Sequence, residues 1–109
     1  MADDQSDTPF EVRKLLRAAR SGMLATLGSQ MGADGGQPFA SLVTPACAPD
    51  LSLLLLLSDL SEHTRHLRAE PRCSILVCGT AEDANPQTTP RVTVTGVAEI
   101  VDDAVLKAR

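Results

Sequence analysis

The sequence predicts a mainly β, α+β domain: a small barrel of largely antiparallel strands with short flanking helices. Three observations carry this. Strand-length apolar segments recur at 23–27, 38–44, 51–57, 72–78 and 91–101 of the 109 residues. Glycine- or proline-rich connections separate them. Short amphipathic segments with capping signals stand beside and between them. The length suits one domain, since domains run to roughly 100–150 residues. A loose polar tail is expected over 1–8 and a single domain over 9–109.

Thr8-Pro9-Phe10-Glu11 opens the first helix, with threonine as N-cap, proline at the first position and glutamate three residues on. Val12, Leu15, Leu16 and Ala19 share one helical face, while Arg13, Lys14, Arg17 and Arg20 lie off it as a solvated face, and Gly22 ends the helix. Met23–Leu27 and Pro38–Thr44 flank a glycine-rich connection and read as a hairpin. Gly32, Gly35 and Gly36 match no phosphate-cradling glycine motif. Pro45–Asp50 reads as a turn, followed by Leu51–Leu57, where a leucine run without alternation predicts burial on both faces. A short helix is expected next, with Asp59 as N-cap and Glu62 three later, Leu60, Thr64 and Leu67 on one face, and Glu70-Pro71 as its stop. Arg72–Cys78 is a strand and Gly79–Pro90 a loop. Arg91–Val101 alternates valine with threonine before Gly96, which permits a bulge. Asp102-Asp103 caps a helix that stops at Arg109, so the chain reads as truncated, with the last strand of a complete barrel missing.

Composition removes several classes of function. Ten basic against fourteen acidic side chains give a net charge of −4, unlike the basic surface that non-specific nucleic-acid binding needs. The longest apolar run, Leu53–Leu57, falls far short of the roughly 20 residues that span a bilayer. The acidic, polar start is unlike a signal peptide, and three cysteines suit a reducing, cytoplasmic setting better than a disulfide framework. Phe10 and Phe39 are the only aromatic residues, so the core is aliphatic and the chain has no stacking platform for bases. A domain this small buries only about 60–65% of its unfolded surface, which favours a partner subunit.

Two constellations fail on their own chemistry. His63 and His66 with Cys73 and Cys78 resemble a zinc set, but residues 73 and 78 fall on opposite faces of one strand. A nucleophilic triad lacks its elbow, because Ser41 sits within the strand segment Phe39-Ala-Ser-Leu-Val43. The third is an anion site. Ser58 and Asp59 end a strand, and Ser61, His63, Thr64 and Arg65 fall in the helix start after it. Free N–H groups, hydroxyls and a guanidinium there suit a phosphate, although a plain strand-to-helix turn with solvated charges has the same pattern.

Four phrases in order, Pro38–Pro45, Leu54–Leu67, Glu70–Val77 and Arg91–Glu99, resemble the pyridoxamine 5′-phosphate oxidase-related FMN-binding split barrels, most of all their heme-utilisation branch. The similarity covers roughly residues 10–105. It implies a homodimer holding FMN in a cleft between subunits. By position, Ser41, Leu42, Val43 and Thr44 match the strand along the flavin ring and ribityl chain, and Leu57 and Ser58 the strand end near the phosphate. His63, Thr64 and Arg65 match the phosphate clamp, and Arg91 a polar residue reaching the cofactor from the other subunit. Many members carry lysine where His63 stands and asparagine where His66 stands, and the substrate-closing aromatic and arginine of the true oxidases fall beyond Arg109. The expectation is therefore an FMN-binding oxidoreductase-like dimer with no catalytic acid or base assigned. The alternatives are a heme- or other ligand-binding module without flavin turnover, with His63 or His66 as candidate axial ligand, and a truncated remnant that binds nothing.

Overall fold

The structure, a computed structural model, describes residues 8–28, 36–80 and 84–101. Helix α1 (Thr8–Ala18) starts at the expected threonine and buries Leu16. Strands β1 (Gly22–Gly28) and β2 (Gln37–Val43) form the expected antiparallel hairpin, in register from Gly22 opposite Val43 to Gly28 opposite Gln37. Gly22 starts this strand rather than capping the helix. A Cβ there would lie 3.1 Å from the Ile75 side chain and 3.2 Å from the Leu76 carbonyl, so the hairpin closes onto the next strand only over a glycine.

β3 (Pro45–Cys47) and β4 (Leu53–Leu55) pair antiparallel as a separate two-stranded ribbon. Residues 45–47 were expected to be turn; they are strand because Pro45, Ala46 and Cys47 pair with Leu55, Leu54 and Leu53. The tight connection between them places Leu51 at φ 73°. It is closed by Leu51 N–H donating to the Ala48 carbonyl and Ala48 N–H donating to the Ser52 carbonyl, each at 2.8 Å.

The leucine run does not bury both faces within the chain. Leu53, Leu55 and Leu57 pack on the core, while Leu54 and Leu56 are exposed, Leu56 at 98%. A two-stranded ribbon has a layer beneath it on one side only, so alternate leucines meet solvent.

Helix α2 (Glu62–Ala69) begins later than predicted, with Ser61 in the extended N-cap position. Asp59 instead accepts from Arg68 at 2.8 Å, and Leu60 is exposed. Ser58 shapes the turn, because its hydroxyl accepts from Leu60 N–H at 3.1 Å and its carbonyl accepts from Ser61 N–H at 3.2 Å. The helix stops at Glu70 before Pro71, as expected.

β5 (Arg72–Cys78) and β6 (Arg91–Val97) complete a four-stranded antiparallel sheet of order β2-β1-β5-β6. The expected loop between them carries a 3-10 turn at Pro86–Thr88. Gly96 makes no bulge: it pairs with Cys73 in an unbroken register. β6 ends at Val97 rather than 101 because β5 begins at Arg72, and one further bond, Ala98 N–H to the Pro71 carbonyl at 2.9 Å, finishes the pairing. The helix expected from Asp102, the glycine-rich tip of the β1–β2 hairpin over 29–35 and most of the N-terminal tail lie outside the described residues.

The core sits where the inner face of the sheet meets the ribbon and α2. Leu24, Val43 and Ile75 are its centre, with Leu53, Leu55, Leu57, Leu67, Cys73 and Val94 packed around them. α1 closes the far end, with Leu15 so near Gly79 that a Cβ there would be 3.0 Å from it. No helix among the described residues is long and apolar enough to cross a membrane.

Candidate functional site

The ribbon and α2 leave an open cleft of about 290 Å³ against the end of β2. Leu42, Val43 and Thr44 form one wall, Leu56, Leu57 and Ser58 a second, and Ser61 and His63 of the helix start the third. Six residues expected at a cofactor, Leu42, Val43, Thr44, Leu57, Ser58 and His63, therefore meet around one space. They come together because the chain leaves β2, turns through the ribbon and re-enters beside β2 at the start of α2.

The polar groups there form an ordered set. Ser61 hydroxyl donates to the Ser58 carbonyl at 2.9 Å, so the Thr64 hydroxyl, 2.8 Å from Ser61 Oγ, donates to it. Thr64 is buried, behind Ser61 rather than on the cleft surface. No side chain caps the first turn of α2, which leaves its leading N–H groups free beside the cleft. His63 is half-buried, with Nδ1 2.9 Å from Ser41 Oγ.

Arg65 is placed otherwise. It is exposed, outside the lining, and paired with Glu62 one turn back. Arg68 is likewise held by Asp59. Arg91 lies on β6, at the opposite edge of the sheet from β2, and donates to the Gln87 carbonyl at 3.0 Å. Three strand spacings separate those edges, about 14 Å, so within one chain Arg91 stands away from the cleft.

His66 is a core residue, 5% exposed. Its Nδ1 is 2.9 Å from Thr26 Oγ1 and its Nε2 3.6 Å from Glu62 Oε2. The signal was present in the sequence, since His63, Thr64, His66 and Leu67 form one i, i+1, i+3, i+4 face once the helix starts at Glu62. A second hollow of about 280 Å³ among β1, Pro38 and β5 has Arg72 as its one charged group. That guanidinium is engaged by Glu70 at 3.0 Å, which holds the Glu70 carboxyl below its ordinary value.

Fold and cleft together define a split-barrel domain whose cleft opens between a strand end and a helix start. Residues 8–109 match the pyridoxamine 5′-phosphate oxidase family, and the chain belongs to it. Over 93 residues, 85% of this chain, it is 37% identical to the chloroplastic non-canonical heme oxygenase HOZ of Arabidopsis thaliana and spans 27% of that protein. A heme binding protein from Mycobacterium smegmatis superposes with a TM-score of 0.76 at 35% identity, covering 90% of this chain and 38% of the other. A FAD-binding protein from Mesorhizobium loti superposes with a TM-score of 0.66 at 26% identity, covering 91% of this chain and 64% of the other. The chain thus corresponds to well under half the length of the first two. These relatives support the heme-utilisation-like branch of the family.

Proposed function

We propose that the chain is the cofactor-binding domain of a homodimeric, FMN-dependent oxidoreductase-like protein. One observation carries the reading: the strand wall, the ribbon exit and the uncapped helix start converge on one cleft. Its groups fit the cofactor by chemistry. Free N–H groups, hydroxyls and an imidazole suit a phosphate, and the side chains of Leu42, Val43, Leu56 and Leu57 suit a planar ring. Bound there, FMN supplies the redox chemistry, while the protein orients it and excludes water. Ser58, Ser61, His63 and the α2 N–H groups would hold the phosphate, with Thr64 backing Ser61. Leu42, Val43 and Thr44 would follow the ring and ribityl chain, with the backbone of Ser41 continuing that strand and its hydroxyl turned to His63.

Arg65 would join the clamp by leaving Glu62. Arg91 would reach the cofactor from the second subunit, in keeping with its distance from its own chain's cleft. Exposed leucines 42, 54, 56 and 60 support the dimer: two of them line the cleft, and a partner's surface would complete it. Free thiols at Cys47, Cys73 and Cys78 support a reducing, cytoplasmic compartment.

Heme is the second reading, favoured by the names of the plant and mycobacterial relatives. His63 is then the histidine placed at the cleft, His66 being sealed in the core. The test is a visible spectrum of the purified protein after FMN, then hemin, with gel filtration to remove free ligand. A retained flavin spectrum is expected. A heme band without flavin uptake would move the assignment to heme, and retention of neither would overturn both.

A further inference from the structure

Two histidine–hydroxyl bonds tie α2 to the sheet. His66 Nδ1 meets Thr26 Oγ1 on β1, and His63 Nδ1 meets Ser41 Oγ on the neighbouring β2, each at 2.9 Å. Their second nitrogens differ. His66 Nε2 lies 3.6 Å from the exposed Glu62 carboxylate, whereas His63 belongs to the cleft wall and its Nε2 has no protein partner among the described residues.

A neutral imidazole carries one proton, and the partner of Nδ1 decides which nitrogen holds it. Ser41 Oγ has no other hydrogen-bond partner among the described residues. If the hydroxyl donates to Nδ1, its proton is satisfied and Nε2 keeps an N–H. If Nδ1–H donates instead, the serine proton has no protein acceptor among the described residues and is left to solvent. We propose that Ser41 is a positioning residue: it donates to His63 Nδ1 and holds the imidazole so that Nε2–H donates to an oxyanion of the ligand, a phosphate or a carboxylate. An iron atom needs the opposite tautomer, with Nδ1–H donating outward and a bare Nε2 lone pair. In this tautomer the dyad presents a donor to the acidic edge of a ligand, and metal binding would first have to reverse the Ser41–His63 bond. The Ser41 hydroxyl acts here through His63 rather than by its own contact with the cofactor.

This rests on the cleft reading above, and the experiment separates the two. The tautomer is read without ligand, from a long-range proton–nitrogen correlation spectrum of labelled protein at about pH 9, where histidines of ordinary pKa are neutral. His63→Gln assigns the signal by removing it. Protonation on Nε2 is expected, and protonation on Nδ1 overturns the inference whatever the cleft binds. Affinities for FMN and riboflavin, which differ only in the phosphate, come next. His63→Leu should shrink the preference for FMN about 10- to 100-fold, the usual effect of losing a hydrogen bond to a charged group. Ser41→Ala should shrink it less, about 3- to 10-fold, by freeing the ring. Riboflavin affinity should stay unchanged, and His63→Gln, which keeps an N–H donor, should restore most of the preference. Equal losses for both flavins would make the dyad merely structural and overturn the inference. If wild type takes hemin and no flavin, the flavin reading fails by itself. A heme band kept in His63→Gln but weakened in His63→Leu then supports the oxyanion contact, and one lost in both marks an iron ligand and overturns it. If nothing binds, the cleft reading fails and the tautomer alone decides.

Discussion

Phe39 meets His66 edge-on, with ring centroids 5.0 Å apart and planes at 89°. Thr26, the hydroxyl partner of His66, stands directly opposite Phe39 across the β1–β2 pair. The imidazole therefore rests on one cross-strand pair, a polar bond on one strand and an aromatic contact on the other. In a chain with two phenylalanines and no larger aromatic side chain, this is a principal anchor of α2.

Removing the hydroxyl tests that anchor. Thr26→Val keeps the shape but leaves His66 Nδ1 without its buried partner, a loss of about 1–3 kcal/mol. Denaturant unfolding should show the midpoint falling with an unchanged slope. A midpoint equal to wild type would mean that the bond adds nothing to the fold.

Leu51 is held at φ 73°, a left-handed conformation that costs a non-glycine residue about 1–2 kcal/mol. Leu51→Gly relieves this but loses about 0.5–1 kcal/mol to the greater freedom of the unfolded chain. A net gain of about 0.5–1 kcal/mol is expected, together with slower amide exchange in β3 and β4. A destabilised variant would show that the half-buried Leu51 side chain matters more than the strain.

The three thiols should react in an order set by burial. Cys78 is exposed, whereas Cys73 is half-buried at the core and burial pushes its thiol above the ordinary range. The thiolate is the reactive form, so at about pH 8 alkylation followed by mass mapping should label Cys78 well before Cys73. Raising the pH should narrow the gap, because Cys73 then gains thiolate. Cys73 labelling first would contradict its packing against the core of Leu24, Val43 and Ile75.

Much of the fold was legible because its signals are local. Glycine and proline punctuate the β1–β2 hairpin, Glu70-Pro71 stops α2, and valine–threonine alternation marks β6. What was missed depends on partners distant in sequence. Pro45–Cys47 is a strand only because residues 53–55 return beside it, and leucine burial depends on which side of the ribbon has a neighbour. The cleft was legible through the family phrases at Leu42–Thr44, Leu57, Ser58 and His63. The place of Arg65 was less so, though Glu62 three residues before it is a ready helical partner. His66 escaped because a histidine counts as polar in a periodicity reading, whereas its ring is buried and its Nδ1 is engaged by Thr26 inside the core.

Leu56 allows the fold of one chain to be tested apart from the proposed association of two. At 98% exposed it contributes nothing to the monomer's core, yet it lines the cleft. Leu56→Lys should therefore leave the unfolding free energy of the dissociated chain within about 0.5 kcal/mol of wild type. If the second subunit covers this wall, a buried, unpaired ammonium opposes association by several kcal/mol. Sedimentation should then show a dimer–monomer equilibrium shifted at least tenfold toward monomer, and ligand retention should fall with it. A variant that stays dimeric but loses ligand would place Leu56 at the cofactor and not at the interface. One that keeps both would remove the ribbon's outer face from the proposed dimer.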